Sequence, residues 1–113
     1  MMSFPLFIKD PKNRISSSQQ NTDDIEGYFF EGKNGSQIAF WECFSDGESK
    51  IHIHDFDEYV ICVSGEYTAI LEGNEIILKP GDELFIPKGT RQGGKVIAGI
   101  RTIHAFGGKR IKS

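Results

Sequence analysis

An all-β sandwich or barrel is the fold this sequence predicts, and three observations carry it. Turn signals recur every eight to twelve residues, beginning with Asn34-Gly35. Thirteen glycines fall mostly at those junctions. No segment sustains the apolar period of a helix, so a helical bundle is excluded.

Taken in order, residues 1–8 are a short apolar arm and residues 9–24 a polar stretch, read as a loop or a covering strand end. Together 1–24 form an arm and loop ahead of one domain spanning 25–113. The first predicted strand is aromatic, Gly27 to Glu31, and Asn34-Gly35 turns it back into Ser36 to Phe44. After the turn Ser45-Asp46-Gly47-Glu48 come a short strand, Ile51 to His54, and a longer one, Glu58 to Ser64. Gly65 leads into Tyr67–Leu71, the hairpin Glu72-Gly73-Asn74 returns as Glu75–Leu78, and Lys79-Pro80-Gly81-Asp82 turns into Glu83–Ile86. Beyond Pro87-Lys88-Gly89, the alternation predicts one last long strand, Val96–Phe106.

The totals bound the function. A chain of 113 residues with 38% apolar and 26% charged residues has enough core for one globular domain. The net charge is −3, and the only basic cluster is Lys109-Arg110-Ile111-Lys112, read as a solvated end. No nucleic-acid or membrane partner is expected. Cys43 and Cys62 lie inside apolar runs and read as buried free thiols. The first residues lack a signal peptide's basic start, so the expected location is cytoplasmic.

The chemistry centres on His52 and His54. Two residues apart on a strand, both imidazoles share one face, and Glu58 follows after Asp55-Phe56-Asp57. Two imidazole nitrogens and a carboxylate make half a divalent-metal shell; the competing reading is a pair of surface histidines at a strand end. The third histidine, His104, alternates with Ile100, Thr102 and Phe106. On that face it is either a satisfied core residue or a group able to ligate or move a proton. Glu42 alternates with Ile38, Phe40 and Phe44 and is either a pocket acid or a paired one at the barrel mouth. Arg91 and Arg101 read as surface ion-pair residues that could instead meet a substrate carboxylate, and Tyr28 and Tyr59 as packing residues that could lend a hydroxyl to a pocket.

From Gly47 through His52-Ile53-His54 and Glu58 to Gly65, the sequence resembles the first motif of the cupin superfamily: glycine, His-x-His, glutamate, glycine. Only the gap from Gly47 to His52 is one residue short. Gly81 to Gly89, with Pro87-Lys88-Gly89, resembles the opening of the second motif, and the likeness spans roughly 36–106. The chain is thus similar to small single-domain cupins of the conserved-barrel type, which implies a double-stranded β-helix, or jelly-roll, barrel. Where that motif usually carries a third histidine this chain has Gln92, and the asparagine four positions on is Val96. The resemblance therefore implies a metal shell of His52, His54, Glu58 and Gln92. Two imidazoles, a carboxylate and an amide oxygen favour Mn, Fe or Ni, with Zn also admissible.

The resemblance implies a metal-dependent enzyme acting on a small oxygen-rich or anionic metabolite, of isomerase, lyase, hydrolase or dioxygenase type. Glu58 or His104 would move the proton. The alternative is a non-catalytic ligand-binding or sensing module. A homodimer is expected as well. In Tyr59-Val60-Ile61-Cys62-Val63 the even positions share the register of Glu58 and face inward, leaving Tyr59, Ile61 and Val63 to be covered. The cover is either a second chain, engaging also the apolar arm Phe4-Pro5-Leu6-Phe7-Ile8, or that arm folded back over its own sheet.

Overall fold

In the computed structural model, residues 3–20 and 24–112 are described, and they form ten antiparallel strands. These are β1 (Ile25–Glu31), β2 (Gln37–Cys43), β3 (Gly47–Glu48), β4 (His52–Ile53), β5 (Glu58–Ser64), β6 (Tyr67–Leu71), β7 (Asn74–Leu78), β8 (Glu83–Ile86), β9 (Arg91–Val96) and β10 (Arg101–Phe106). One sheet runs β1-β2-β10-β5-β8, and the facing sheet runs β3-β9-β6-β7 with β4 also paired to β9. Alternation along each strand sends one set of side chains between the sheets. On β2 the inward set is Gln37, Ala39, Trp41 and Cys43, all buried, while Ile38, Phe40 and Glu42 point out. On β5, Glu58, Val60 and Cys62 point in.

Three apolar groups fill the interior. Val60, Cys62, Leu78 and Ile86 close one end. Cys43, Val96 and Ile100 lie between the sheets at another point. Ile15, Ala39, Trp41, Phe106 and Ile111 form the third group. Ile15 belongs to the polar stretch yet is only 1% exposed; its amide donates to the Gly27 carbonyl, and two single-turn 3-10 helices, Pro11–Asn13 and Ser17–Gln19, flank it. Burial of that side chain stabilises the loop by about 1.5–3 kcal/mol. Gly27 is required beneath it, because a Cβ there would run into the Trp41 ring.

The expected last strand, 96–106, is two strands. Val96 ends β9, and Ile97-Ala98-Gly99-Ile100 turns back before β10, with Ile100 N–H donating to the Ile97 carbonyl and Gly99 at φ 92°. Only glycine adopts that backbone conformation freely. The basic C-terminal tail is not a solvated end either: Ile111 is buried in the core. The apolar arm folds back over its own sheet at two points, Phe4 and Ile8, which pack on Tyr28, with Phe30, Phe40 and Ile103 around them. Leu6 and Phe7 stay exposed. Both cysteines are buried and free, and no helix among the described residues is long and apolar enough to cross a membrane.

Candidate metal centre

The short β4 places the histidines. His52 lies opposite Gln92 of β9, and Ile53 opposite Arg91. Directly opposed residues project to the same face. His52 and Gln92 therefore both turn inward, while Ile53 and Arg91 are exposed. Gln92 is buried. His54 follows on the inner face, its ring 4.7 Å from that of His52 and stacked at 17° on Phe56. Glu58 opens β5 beneath them, buried, opposite Phe106 and Ile86.

Hydrogen bonds and burial orient these groups. His52 Nδ1 lies 2.9 Å from the Lys50 carbonyl oxygen, which can only accept, so Nδ1 is the donor there and Nε2 is the ring nitrogen left out of that bond. Burial holds His54 down at about 4, with the Glu58 charge opposing, so its imidazole is neutral at pH 7. Burial pushes Glu58 up, but the His104 hydrogen bond and the neighbouring imidazoles outweigh it and leave the carboxyl below its ordinary range. Glu58 is thus an ionised carboxylate in the interior. Its Oε2 accepts from His104 Nδ1 at 2.8 Å, and His104 Nε2 lies 3.0 Å from Thr102 Oγ1. A carboxylate on Nδ1 leaves Nε2 to accept from the Thr102 hydroxyl.

The other oxygen of Glu58 tests whether these residues suit a metal. Glu58 Oε1 is buried with no hydrogen-bond partner among the described residues, and it lies 3.5 Å from His54 Nε2. A buried anionic oxygen without a partner is costly. A divalent cation bound there would satisfy it, and neutral imidazoles, a carboxylate and an amide are the donor types such a cation takes. The residues fit. Among the described residues no three His, Cys, Asp or Glu side chains already form a ligating cluster. His52, His54, Glu58 and Gln92 are donors gathered on one pocket, short of a closed sphere.

That pocket is a cavity of about 80 Å³, lined by these four residues together with His104, Thr102, Tyr67, Trp41, Gln20 and Arg110. Sequence reasoning had no role for Tyr67, Gln20 or Arg110 here. Tyr67 faces His104 edge-on at 6.0 Å, and burial raises its pKa, so its hydroxyl stays protonated. A side chain at Gly94 would collide with that phenol, and that glycine was the one signal that a ring crosses there. The remaining candidates lie elsewhere. Glu42 is on the outer face, where it accepts from Ser3 Oγ at 2.6 Å and from the Phe4 amide at 3.1 Å. Arg101 covers the Phe4 ring at 4.1 Å, and Arg91 is exposed. Tyr28 donates to Glu26 and Tyr59 to Glu83, both outside the barrel.

The comparisons agree with this architecture. The cupin domain family matches residues 40–109. Quercetin 2,3-dioxygenase of Bacillus subtilis (strain 168) is 33% identical over 90 residues, which are 75% of this chain but 23% of that protein, so the chain spans less than a quarter of that relative. A cupin-2 domain from Rhodospirillum rubrum superposes with a TM-score of 0.72 at 14% identity, over 98% of this chain and 77% of that one. The polyketide cyclase RemF from Streptomyces resistomycificus gives 0.69 at 18% identity, over 93% and 79%. KdgF from Halomonas sp. gives 0.67 at 18%, over 81% and 89%. At such identities the structural likeness speaks for the fold. With two facing antiparallel sheets, the HxH and glutamate of the first motif in the barrel and a family match over most of the chain, this protein belongs to the cupin family, with its jelly-roll barrel.

Proposed function

We propose that this cupin is a metal-dependent enzyme acting on a small oxygen-rich or anionic metabolite by proton transfer. One observation carries the reading: the two oxygens of Glu58 serve different partners, Oε1 bare beside His54 and Oε2 bonded to His104. His52, His54, Glu58 and Gln92 would hold Mn, Fe, Ni or Zn. The bound ion supplies Lewis acidity, polarising a substrate oxygen. The chain's own part is the proton. His104 Nε2 takes it up as the Thr102 hydroxyl turns aside, and Glu58 Oε2, 2.8 Å from Nδ1, stabilises the imidazolium that results. Tyr67 contributes a protonated phenol to the same cavity. Isomerase and lyase chemistry use this arrangement directly; hydrolysis needs an added water, and dioxygenase chemistry, that of the Bacillus quercetin 2,3-dioxygenase, needs molecular oxygen as co-substrate. A cavity of about 80 Å³ is far smaller than the ~300–1,000 Å³ of pockets for drug-sized ligands, which supports a compact substrate.

The small volume of the cavity also suits a second reading, a non-catalytic ligand-binding or sensing module. Deuterium exchange separates the two. Metal-loaded protein in D₂O, given a panel of small hydroxy- and oxo-carboxylates, is expected to exchange or consume at least one, and His104→Gln is expected to abolish this while keeping the metal. Binding without exchange, or exchange unaffected by His104→Gln, contradicts the enzyme reading.

The reading extends to a homodimer. Across the outer face, Phe30, Ile38, Ala105, Tyr59 and Phe85 stand in one row over all five strands. Phe85 is 52% exposed, and neither it, Tyr59 nor Ile38 is among the residues Phe4 and Ile8 cover. An apolar row of this length supports sheet-to-sheet packing by a second chain. The two buried free thiols support a reducing, cytoplasmic setting.

A further inference from the structure

The segment after β10 is pinned on both sides of Arg110. Gln37, buried on the inner face of β2, donates from Nε2 to the Ile111 carbonyl at 2.9 Å and accepts the Ile111 amide on Oε1 at 2.8 Å. Gln19 grips Lys112 in the same manner, at 2.9 Å to its carbonyl and 2.6 Å from its amide. Lys109 pairs with Glu31 at 3.5 Å. Ile111 packs with Ile15, Ala39, Trp41 and Phe106.

What this pinning presents to the cavity is one guanidinium. Arg110 lines the pocket with His54, Glu58, Trp41 and Gln20 and makes no hydrogen bond or ion pair among the described residues. Burial lowers its pKa while the Glu58 charge opposes this, as expected of a partly desolvated cation near that carboxylate. Gln20 adds a second unmet group: its Oε1 is buried with no hydrogen-bond partner among the described residues. A half-buried guanidinium calls for an anion, and a buried amide oxygen calls for an O–H or N–H donor. Apart from its histidines, Glu58 and Arg110 are the charged residues of the lining; their charges cancel, and a divalent ion in place makes the cavity positive.

We propose that Arg110 is the anion anchor of this pocket and takes the carboxylate of a compact hydroxy-carboxylate, whose hydroxyl meets Gln20 Oε1 and whose remaining oxygen faces the metal donors. The last part rests on the metal-enzyme reading above; the anchoring by Arg110 does not. The size fits: at roughly 10–15 Å³ for each water-sized position, about 80 Å³ holds a molecule of a few heavy atoms.

Calorimetric titration with three probes tests the assignment. Glycolate carries both groups, acetate lacks the hydroxyl, and ethylene glycol lacks the charge. Each is titrated into the full chain, manganese-loaded and EDTA-treated. Glycolate is expected to bind tighter than acetate, and ethylene glycol weakest. Arg110→Gln is expected to weaken glycolate roughly tenfold or more while manganese affinity holds, with Arg110→Lys recovering part. Glycolate affinity within twofold of wild type in Arg110→Gln, or no tighter than ethylene glycol in the wild type, overturns the proposal. If the wild type takes up none of manganese, iron, nickel or zinc, the metal-enzyme reading fails, and the EDTA-treated arm still decides the anchor. Should Arg110→Gln fold poorly, the wild-type Arg110 Nε–Hε resonance decides, being one of four arginines. Its shift with glycolate and not with ethylene glycol supports the proposal, and an unmoved resonance overturns it.

Discussion

His104 and Glu58 occupy diagonal positions of the paired strands β10 and β5, and His104 Nδ1 meets Glu58 Oε2 at 2.8 Å with both side chains buried. One oxygen of the carboxylate is thereby committed to orienting an imidazole, and the other is without a hydrogen-bond partner among the described residues, where the proposed cation would sit. His104→Ala strips the first role and leaves the second. It is expected to destabilise the apo-protein by about 1–3 kcal/mol, since Glu58 loses its one hydrogen-bonded side chain among the described residues, and to leave metal content near that of wild type. Urea midpoints and element analysis of the variant check both halves. Loss of the metal in His104→Ala alone would mean that His104 is a ligand in place of Gln92.

Gln92→His changes the donor set at the position opposite His52. A third imidazole is softer than an amide oxygen, so the variant is expected to bind metal more tightly and to shift selectivity toward Zn or Cu. Competition titrations against a chelator measure this. Unchanged affinity and selectivity would place Gln92 outside the shell.

Acidification has a definite sign at His54. Its pKa of about 4 in the folded chain lies below the ordinary 6.5, so between those values the unfolded chain binds a proton that the native one does not. The metal-free protein therefore loses stability as pH falls from 6.5 to about 4, and Glu58, also lowered, adds a loss in the same direction below its ordinary 4.5. Urea midpoints of EDTA-treated protein between pH 7 and 4 are expected to fall, and His54→Gln to flatten the upper part of that fall. An equal slope in the variant assigns the loss to other groups.

Light scattering at micromolar concentration tests the outer face. A dimer is expected, at about twice 12.7 kDa, and Tyr59→Asp, within the apolar row, is expected to return the mass to 12.7 kDa. A wild-type mass of 12.7 kDa contradicts the dimer.

Much of this architecture was legible from local signals. The strands β5, β6 and β8 begin and end where alternation and turn residues place them, because each is bounded by Gly, Pro or a charged turn. β9 was not legible. Its centre is Gly93-Gly94, which reads as loop until Ile51 and Tyr67 are known to need the space. The candidate donors were readable because His52, His54 and Glu58 lie within seven residues and Gln92 is set by its distance from Pro87-Lys88-Gly89. Arg110, Gln20 and Tyr67 were not, since their approach to the cavity depends on contacts far apart in the chain. A basic cluster at the end of a sequence resembles a solvated tail, and only the grip of Gln37 and Gln19 turns it inward.

The central claim is that one ion is held by donors from β4, β5 and β9. Element analysis of protein purified without a polyhistidine tag and supplemented with Mn, Fe, Ni and Zn tests it most directly. The account expects close to one equivalent of a divalent transition metal per chain, lost in His52→Ala and in His54→Ala. Well under half an equivalent after supplementation, or full occupancy in both alanine variants, would contradict it.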